Sequence, residues 1–281
     1  MTDSELLKIL NERLNINPQE FTKKLEKRKI EEVEHSEIIH APKELTGATE
    51  EKVSTSAKTR PVYETNVAVR KFIQEWIEKE CPNKVVVDLA CGSAEVTEQI
   101  AKTNAKIVIG TELAPLTVKT NREKISKKYS NTFFVLDDCE KSFLPDSCAD
   151  VIVCSGMLHH VDINVASEEI KRILKPGGKM LAIEALKYNP VFNWYRKRTP
   201  EARTHWEAAH ILGLEEAKLV GKKLELKKIR YWQLFSILAI FFPLKIRSKI
   251  LVFFNFIDRV LLSIPLLQRM SWIFTLEYEK H

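Results

Sequence analysis

The sequence predicts an α/β protein built around a seven-stranded, mostly parallel sheet with its last strand antiparallel, and three observations carry that prediction. From Lys84 onward, apolar strand-like runs alternate with helix-like segments, the pattern of consecutive βαβ units. Between the first such strand and the first helix lies a small-residue turn, CGSA, where a parallel sheet receives ligands. With 281 residues, 44% hydrophobic and 29% charged, the chain is long and apolar enough to bury a large core.

Taken in order, residues 1–60 are highly charged and poor in aromatics. KKLEKRKIEEVEH predicts a helix with a mixed-sign face, and the polar stretch TGATEEKVSTSAKTR a flexible link. The composition changes at Tyr63, and Val67, Val69, Phe72, Ile73 and Ile77 have the spacing of a core-packed helix. Strands are expected at VVVDLA, IVIGTE, TFFVLD, ADVIVCS and KMLAIEA, with helices through EVTEQIAK, LTVKTNREKISKKY and ASEEIKRIL. KPGG reads as the turn before strand five. Beyond it, LEEAKLV reads as helical, KKLELKKIRYW as strand six and SWIFTLEYEK as strand seven, with an apolar helical insertion over 234–269. The expected organisation is an arm and link at 1–60, a core at 61–186 and a part completing the sheet at 187–281.

The five cysteines form no CxxC pair and read as reduced thiols of a cytoplasmic protein. MTDSELLKIL is acidic where a secretory signal would be basic, so a cytoplasmic location is expected. A net charge of +6 fits an anionic membrane surface or an anionic substrate, yet the basic residues are not interleaved with aromatics on one strip, and no nucleic-acid partner is expected.

The chemistry concentrates in VVVDLACGSAEVT. A turn of this kind brings backbone N–H groups and a helix N-terminus close to a ligand. It lacks the GxGxxG spacing of a dinucleotide site and instead sets Asp88 four residues before Gly92. Glu112 ends the next strand, twenty-four residues beyond Asp88, where a carboxylate accepts hydrogen bonds from both hydroxyls of a ribose. That demand is shared by NAD and S-adenosylmethionine sites.

These segments, with FFVLDDCEKSFLPDSCADVIVCSGMLHHV and RILKPGGKMLAIE, resemble the class I S-adenosylmethionine-dependent methyltransferases over about residues 63–186, and in particular the small-molecule, ubiquinone/menaquinone-biosynthesis-like type. The resemblance implies a Rossmann-like αβα sandwich with S-adenosyl-L-methionine as cofactor. It implies that Asp88 and the loop of Ala90, Cys91, Gly92 and Ala94 hold the methionyl end, and that Leu113 packs on the adenine. It further implies that Asp138 and Cys139 contact the adenine and that Ser155, at the end of strand four, belongs to the same site. In that family the loop usually carries three alternating glycines. Here two are alanines, which take positive φ only at a cost.

Strand four is followed by SGMLHHV and not by the Asn/Asp-Pro-Pro-aromatic turn with which many nucleic-acid methylases grip a flipped base, so a small-molecule or lipid-like acceptor is favoured. His159 and His160 stand where an acceptor would meet the cofactor, and either suits a general base, His160 ahead. The alternative is that one of them packs or caps the next helix. His35/His40 and His205/His210 are each five apart, which suits neither face of a helical metal site, and no metal is expected.

In the last third, Arg196, Lys197, Arg198 and Arg203 read either as a phosphate or headgroup site or as a solvated helix face. The run Leu234–Leu244 is too short to span a bilayer and is broken by Pro243. Lys245, Arg247 and Lys249 follow, then a helix whose Asn255, Asp258 and Arg259 form a narrow polar stripe opposite a broad apolar face. This predicts a substrate cap, a subunit contact or a peripheral contact with an anionic membrane, with core packing as the alternative. The oligomeric state cannot be read from the sequence.

The sequence thus predicts methyl transfer to a hydrophobic or lipid-linked metabolite. The alternatives are a membrane-docked, non-catalytic scaffold on the same fold and, disfavoured by the glycine spacing, a nicotinamide-dependent oxidoreductase.

Overall fold

Strands with no polar alternation must be covered on both faces, and β1 (Val85–Leu89) and β2 (Ile107–Glu112) are buried at every position. They are neighbouring interior strands of a seven-stranded sheet in a computed structural model that describes residues 2–42, 46, 64–200 and 203–281. With β3 (Thr132–Leu136), β4 (Ala149–Ser155), β5 (Leu174–Ala185), β6 (Glu225–Trp232) and β7 (Ile273–Glu279), the order is β3-β2-β1-β4-β5-β7-β6. Strands β1 to β5 are parallel, and β7 runs antiparallel between β5 and β6. The expected Rossmann-like αβα sandwich is therefore present.

Side chains alternate across a strand, so Val85 and Val87 enter one core and Val86 the other. On the first face Leu6 and Leu10 of α1 (Asp3–Arg13) join helices at Ile163–Ile173 and Leu214–Gly221. On the second, Val69, Ile73, Trp76 and Ile77 of the helix Val67–Glu80 pack with Ile100 of Glu95–Ala101. Val67, expected in the core, is instead exposed at the first turn.

Four expectations need correction or limits. KPGG lies within β5 and not before it. Ala149 pairs with Leu174 and Val151 with Lys179, so Lys175–Gly178 bulge out of the ladder, where Gly177 (φ 72°) donates its N–H to the Lys280 carbonyl at 2.7 Å. The helix expected through 116–129 is α-helical only over Pro115–Asn121 and then widens to a π turn, Arg122–Ser126. That turn sends Arg122 to the carbonyls of Phe134 and Leu14, tying the arm to β3. The link expected over 46–60 lies, apart from Thr46, outside the described residues.

The fourth correction concerns the insertion, a 3₁₀ turn at Ser236–Phe241 followed by the helix Leu244–Leu261. Its polar stripe does not face water at Asp258. That carboxylate is buried and accepts from the N–H groups of Leu234, Phe235 and Ser236 and from the Ser236 hydroxyl at 2.6 Å, capping the 3₁₀ turn. The apolar face therefore turns outward, with Leu244, Val252, Phe253, Phe256 and Val260 more than half exposed. Among the described residues, no helix is long and apolar enough to cross a membrane.

Candidate functional site

In an open parallel sheet the ligand crevice forms beyond the carboxyl ends of two neighbouring strands whose connections leave in opposite directions. Here those strands are β1 and β4. The loop leaving β1 alternates left-handed residues, with φ of 51° at Ala90, 48° at Gly92 and 60° at Ala94. For the two alanines this costs about 1–2 kcal/mol each. The loop is held by Cys91 N–H on the Thr111 carbonyl and by the Asn121 amide on the Gly92 carbonyl, both at 2.8 Å. A Cβ at Gly92 would lie 2.9 Å from Nε2 of His40, so any other residue would have to displace that ring as well as adopt the positive φ.

Glu112 lies across from this loop. It is buried, and its two oxygens accept from the N–H groups of Gly92, Leu113 and Ala114 and from Ser36 Oγ. Burial raises its pKa against the lowering effect of those N–H groups. Asp88 sits deeper, with Oδ2 held by Thr97 Oγ1 at 2.6 Å, and burial pushes its carboxyl up to about 7. Beyond β3, Asp137 and Asp138 both line the crevice, and Asp137 is engaged by the Ser142 hydroxyl and the Phe143 N–H.

After β4 the chain turns at Gly156 (φ 68°) and presents both histidines. His159 Nδ1 lies 2.6 Å from the buried Glu184 of β5, whose other oxygen accepts the N–H groups of Met157 and Leu158. His160 Nδ1 lies 2.8 Å from Glu32. Burial opposes charge on His160, but the bond to Glu32 and the nearby Glu207 and Glu184 raise its pKa above the ordinary value. Loop, acids and histidines share one cavity of about 940 Å³.

The cavity is closed by the helix whose mixed-sign face the sequence predicts but to which it assigns no part in the site. α3 (Lys27–His40), which follows α2 (Pro18–Lys23), directs Lys29 to Asp138 at 2.6 Å, Glu32 to His160 and Ser36 to Glu112 at 3.3 Å. Arg28 pairs with Glu140 and Glu37 caps the Leu116 N–H. A recurrence of polar residues at 29, 32, 36 and 40 is a one-face helical spacing, and it was the available signal.

Of the expected cofactor positions, Asp88, Ala90, Cys91, Gly92, Glu112, Leu113, Asp138, Cys139 and Ser155 line this cavity, as do His159 and His160. Ala94 does not: it is fully buried behind the loop with Val118 and Phe134. The Cys139 thiol is also buried, 3.9 Å from the Met157 sulfur. The basic cluster does not converge. Arg196 binds the Leu186 carbonyl and Asn193, Arg198 stacks on Trp194, and only Arg203 reaches the cavity. Arg247, read as part of a basic link, is engaged by Glu64 and by the Ile240 and Phe242 carbonyls.

The donor set fits S-adenosylmethionine: a buried carboxylate at the end of β2, a glycine backbone open to close approach, and a polar cavity of sufficient size. Residues 87–182 match the family described as a methyltransferase domain. A ubiquinone/menaquinone biosynthesis C-methyltransferase from Hydrogenovibrio crunogenus is 30% identical over 108 residues, 37% of this chain and 42% of that protein. A sterol 4-C-methyltransferase from Caenorhabditis elegans is 30% identical over 129 residues, 45% of this chain and 36% of that one. The chain thus spans less than half the length of these curated relatives. Among solved structures, geranyl diphosphate C-methyltransferase from Streptomyces coelicolor, in complex with Mg²⁺, geranyl diphosphate and S-adenosyl-L-homocysteine, superposes with a TM-score of 0.56 at 13% identity, covering 87% of each chain. The methyltransferase bound to the Haloferax volcanii Trm112 activator gives 0.58 at 15% identity, covering 83% of this chain and 99% of that one.

Proposed function

We propose that this chain, whose residues 87–182 form a class I S-adenosylmethionine-dependent methyltransferase domain, transfers a methyl group to a small hydrophobic or lipid-linked acceptor. The observation that carries the reading is the single cavity shared by Gly92, Glu112, His159 and His160. When bound, S-adenosylmethionine supplies a methyl already activated by its sulfonium. Glu112 would hold the ribose, Leu113 and Asp138 the adenine side, and the loop of Ala90 to Gly92 the methionyl end. The chain's own contribution is then position and exclusion of water, with a histidine after β4 to take a proton from the acceptor.

α3 supplies the water exclusion. Its side chains bridge the acids on both sides of the cavity, so cofactor entry requires Ser36 and His40 to yield their places at Glu112 and Gly92. The test is incubation with methyl-labelled cofactor and a lipid extract, followed by identification of the labelled product. Transfer to no extract component, with S-adenosylhomocysteine binding intact, would favour the scaffold reading.

The outward apolar face favours a peripheral membrane location for the acceptor. Lys245 and Lys249 are exposed and lie on the same helical stripe as Val252 and Phe256, which joins basic and insertable side chains in one strip. Flotation with anionic vesicles checks this. The parent should float at low salt, and the Phe253→Asp/Phe256→Asp double variant should remain at the bottom. If both behave alike, the face belongs to another contact.

A further inference from the structure

His159 and His160 are each held by a carboxylate at Nδ1, through Glu184 at 2.6 Å and Glu32 at 2.8 Å. A neutral imidazole that donates from Nδ1 leaves Nε2 as an unprotonated lone pair. That of His159 is 3.9 Å from Oε1 of Glu207, a carboxylate with no proton to give when ionised. One ligand atom from each of His159, His160 and Glu207, a ring nitrogen or a carboxylate oxygen, lies within 4.8 Å of the other two. On the far side of Glu207, His35 Nε2 stands 3.9 Å from Oε2. Several acceptor lone pairs therefore converge on one point of the cavity wall, an arrangement that a cation in their midst would satisfy.

We propose that His159, His160 and Glu207 hold a divalent first-row transition-metal ion, whose open coordination positions face the cavity and bind an oxyanionic group of the methyl acceptor. Two imidazoles and one carboxylate are the donor set that suits Zn²⁺, Fe²⁺ or Mn²⁺, whereas Mg²⁺ is served by oxygen ligands alone. The carboxylate–imidazole pairs are the second layer that such sites need, fixing the tautomer and the ring plane. Their carboxylates come from two separate places, Glu184 on β5 and Glu32 on α3, while the ligand Glu207 lies on the short helix His205–Ala209. Bonds of about 2.0–2.2 Å require the ligand atoms to close by roughly 1 Å, within the reach of side-chain rotation. Arg203, 3.4 Å from Glu207, would exchange part of its pairing for the metal. Glu32 and Glu184 are positioning residues in this arrangement.

The acceptor half of the proposal rests on the methyl-transfer reading, with the acceptor bound to the ion as its oxyanion, so that the histidine base invoked above acts only in the metal-free protein; the metal half does not rest on it. The test uses the full chain, free of any affinity tag and stripped with chelator. Zn²⁺ is titrated against a chromophoric competitor, and Co²⁺ is added separately to read its visible absorption bands. One equivalent should bind, excess Mg²⁺ should not displace it, and His159→Gln and Glu207→Gln should each weaken it by ~100-fold or more. Glu32→Gln should weaken it by about 10–100-fold, the usual effect of removing such a partner. S-adenosylhomocysteine calorimetry on every variant checks that the fold and cofactor pocket persist. Absence of stoichiometric Zn²⁺ and Co²⁺ binding, or equal affinity in the parent, His159→Gln and Glu207→Gln, overturns the metal site and reassigns the pairs as proton-holding ones. Metal binding without S-adenosylhomocysteine binding would instead remove the methyl-transfer reading and leave the metal standing.

Discussion

Glu32 and His160 are 128 positions apart in the chain, and their side chains meet at 2.8 Å. Through this contact an arm that precedes the sheet sets the tautomer and the basicity of a ring in the cavity. Replacing His160 with Ala should lower turnover ~10²-fold or more if the ring takes the acceptor's proton, with cofactor affinity unchanged. Glu32→Gln should keep the ring but shift the pH–rate profile toward lower pH, because the raised pKa of His160 depends in part on that carboxylate. Steady-state kinetics across pH, with calorimetry of S-adenosylhomocysteine, separates the two roles.

Glu112 is the second point of test. Its replacement by Ala removes the carboxylate proposed to hold the ribose and leaves the Gly92, Leu113 and Ala114 N–H groups without their acceptor. Affinity for S-adenosylhomocysteine should fall by roughly 1–3 kcal/mol. Unchanged affinity in calorimetry removes Glu112 from the site.

The left-handed alanines give a stability prediction with opposite expectations at two positions. Ala90→Gly should stabilise the protein by about 1 kcal/mol, because φ of 51° is relieved at a half-exposed site. Ala94→Gly relieves the same kind of strain but deletes a fully buried methyl, worth about 0.8 kcal/mol, and should come out near neutral. Urea denaturation of both variants beside the parent measures the contrast.

His40 predicts a response to acid. Burial against the loop holds its imidazole down to about 4, below the roughly 6.5 of a free histidine. The unfolded or undocked arm therefore binds the proton first. The stability carried by this contact is complete above about pH 6.5 and is lost as the pH falls from there toward 4. Hydrogen exchange of the α3 amides should accelerate over that window in the parent, relative to the chemical rate, and should respond less in His40→Asn, where His35, lowered by burial on the same helix, carries what remains.

The sheet and the two acids on its interior strands were legible because their signals are local. Unbroken apolar runs such as VVV and IVIG can only be buried strands, and Asp88 and Glu112 stand at strand ends whatever the rest of the chain does. The lid of the cavity was not legible. Lys29, Glu32, Ser36 and His40 look like any solvated stripe until Asp138, His160, Glu112 and Gly92 are placed opposite them, and those partners are remote in sequence. Asp258 misled for a related reason. One acid on an apolar helix reads as the wet side, yet three unsatisfied N–H groups of a neighbouring turn drew it inward and turned Phe253 and Phe256 out.

The order β5-β7-β6 also bears on how the molecule is made. Among the described residues strand β6 has no partner but β7, which follows it by forty residues of insertion, from Gln233 to Trp272. A chain emerging from the ribosome can lay down β1 to β5 as each is synthesised, but the edge of β5 stays bare until β7 arrives. During that interval β6 and the apolar insertion are both exposed, and a bare strand edge beside them invites pairing with other chains. The vulnerable species is thus a chain in which β6 has been made and β7 has not, and chaperone demand should fall on that interval.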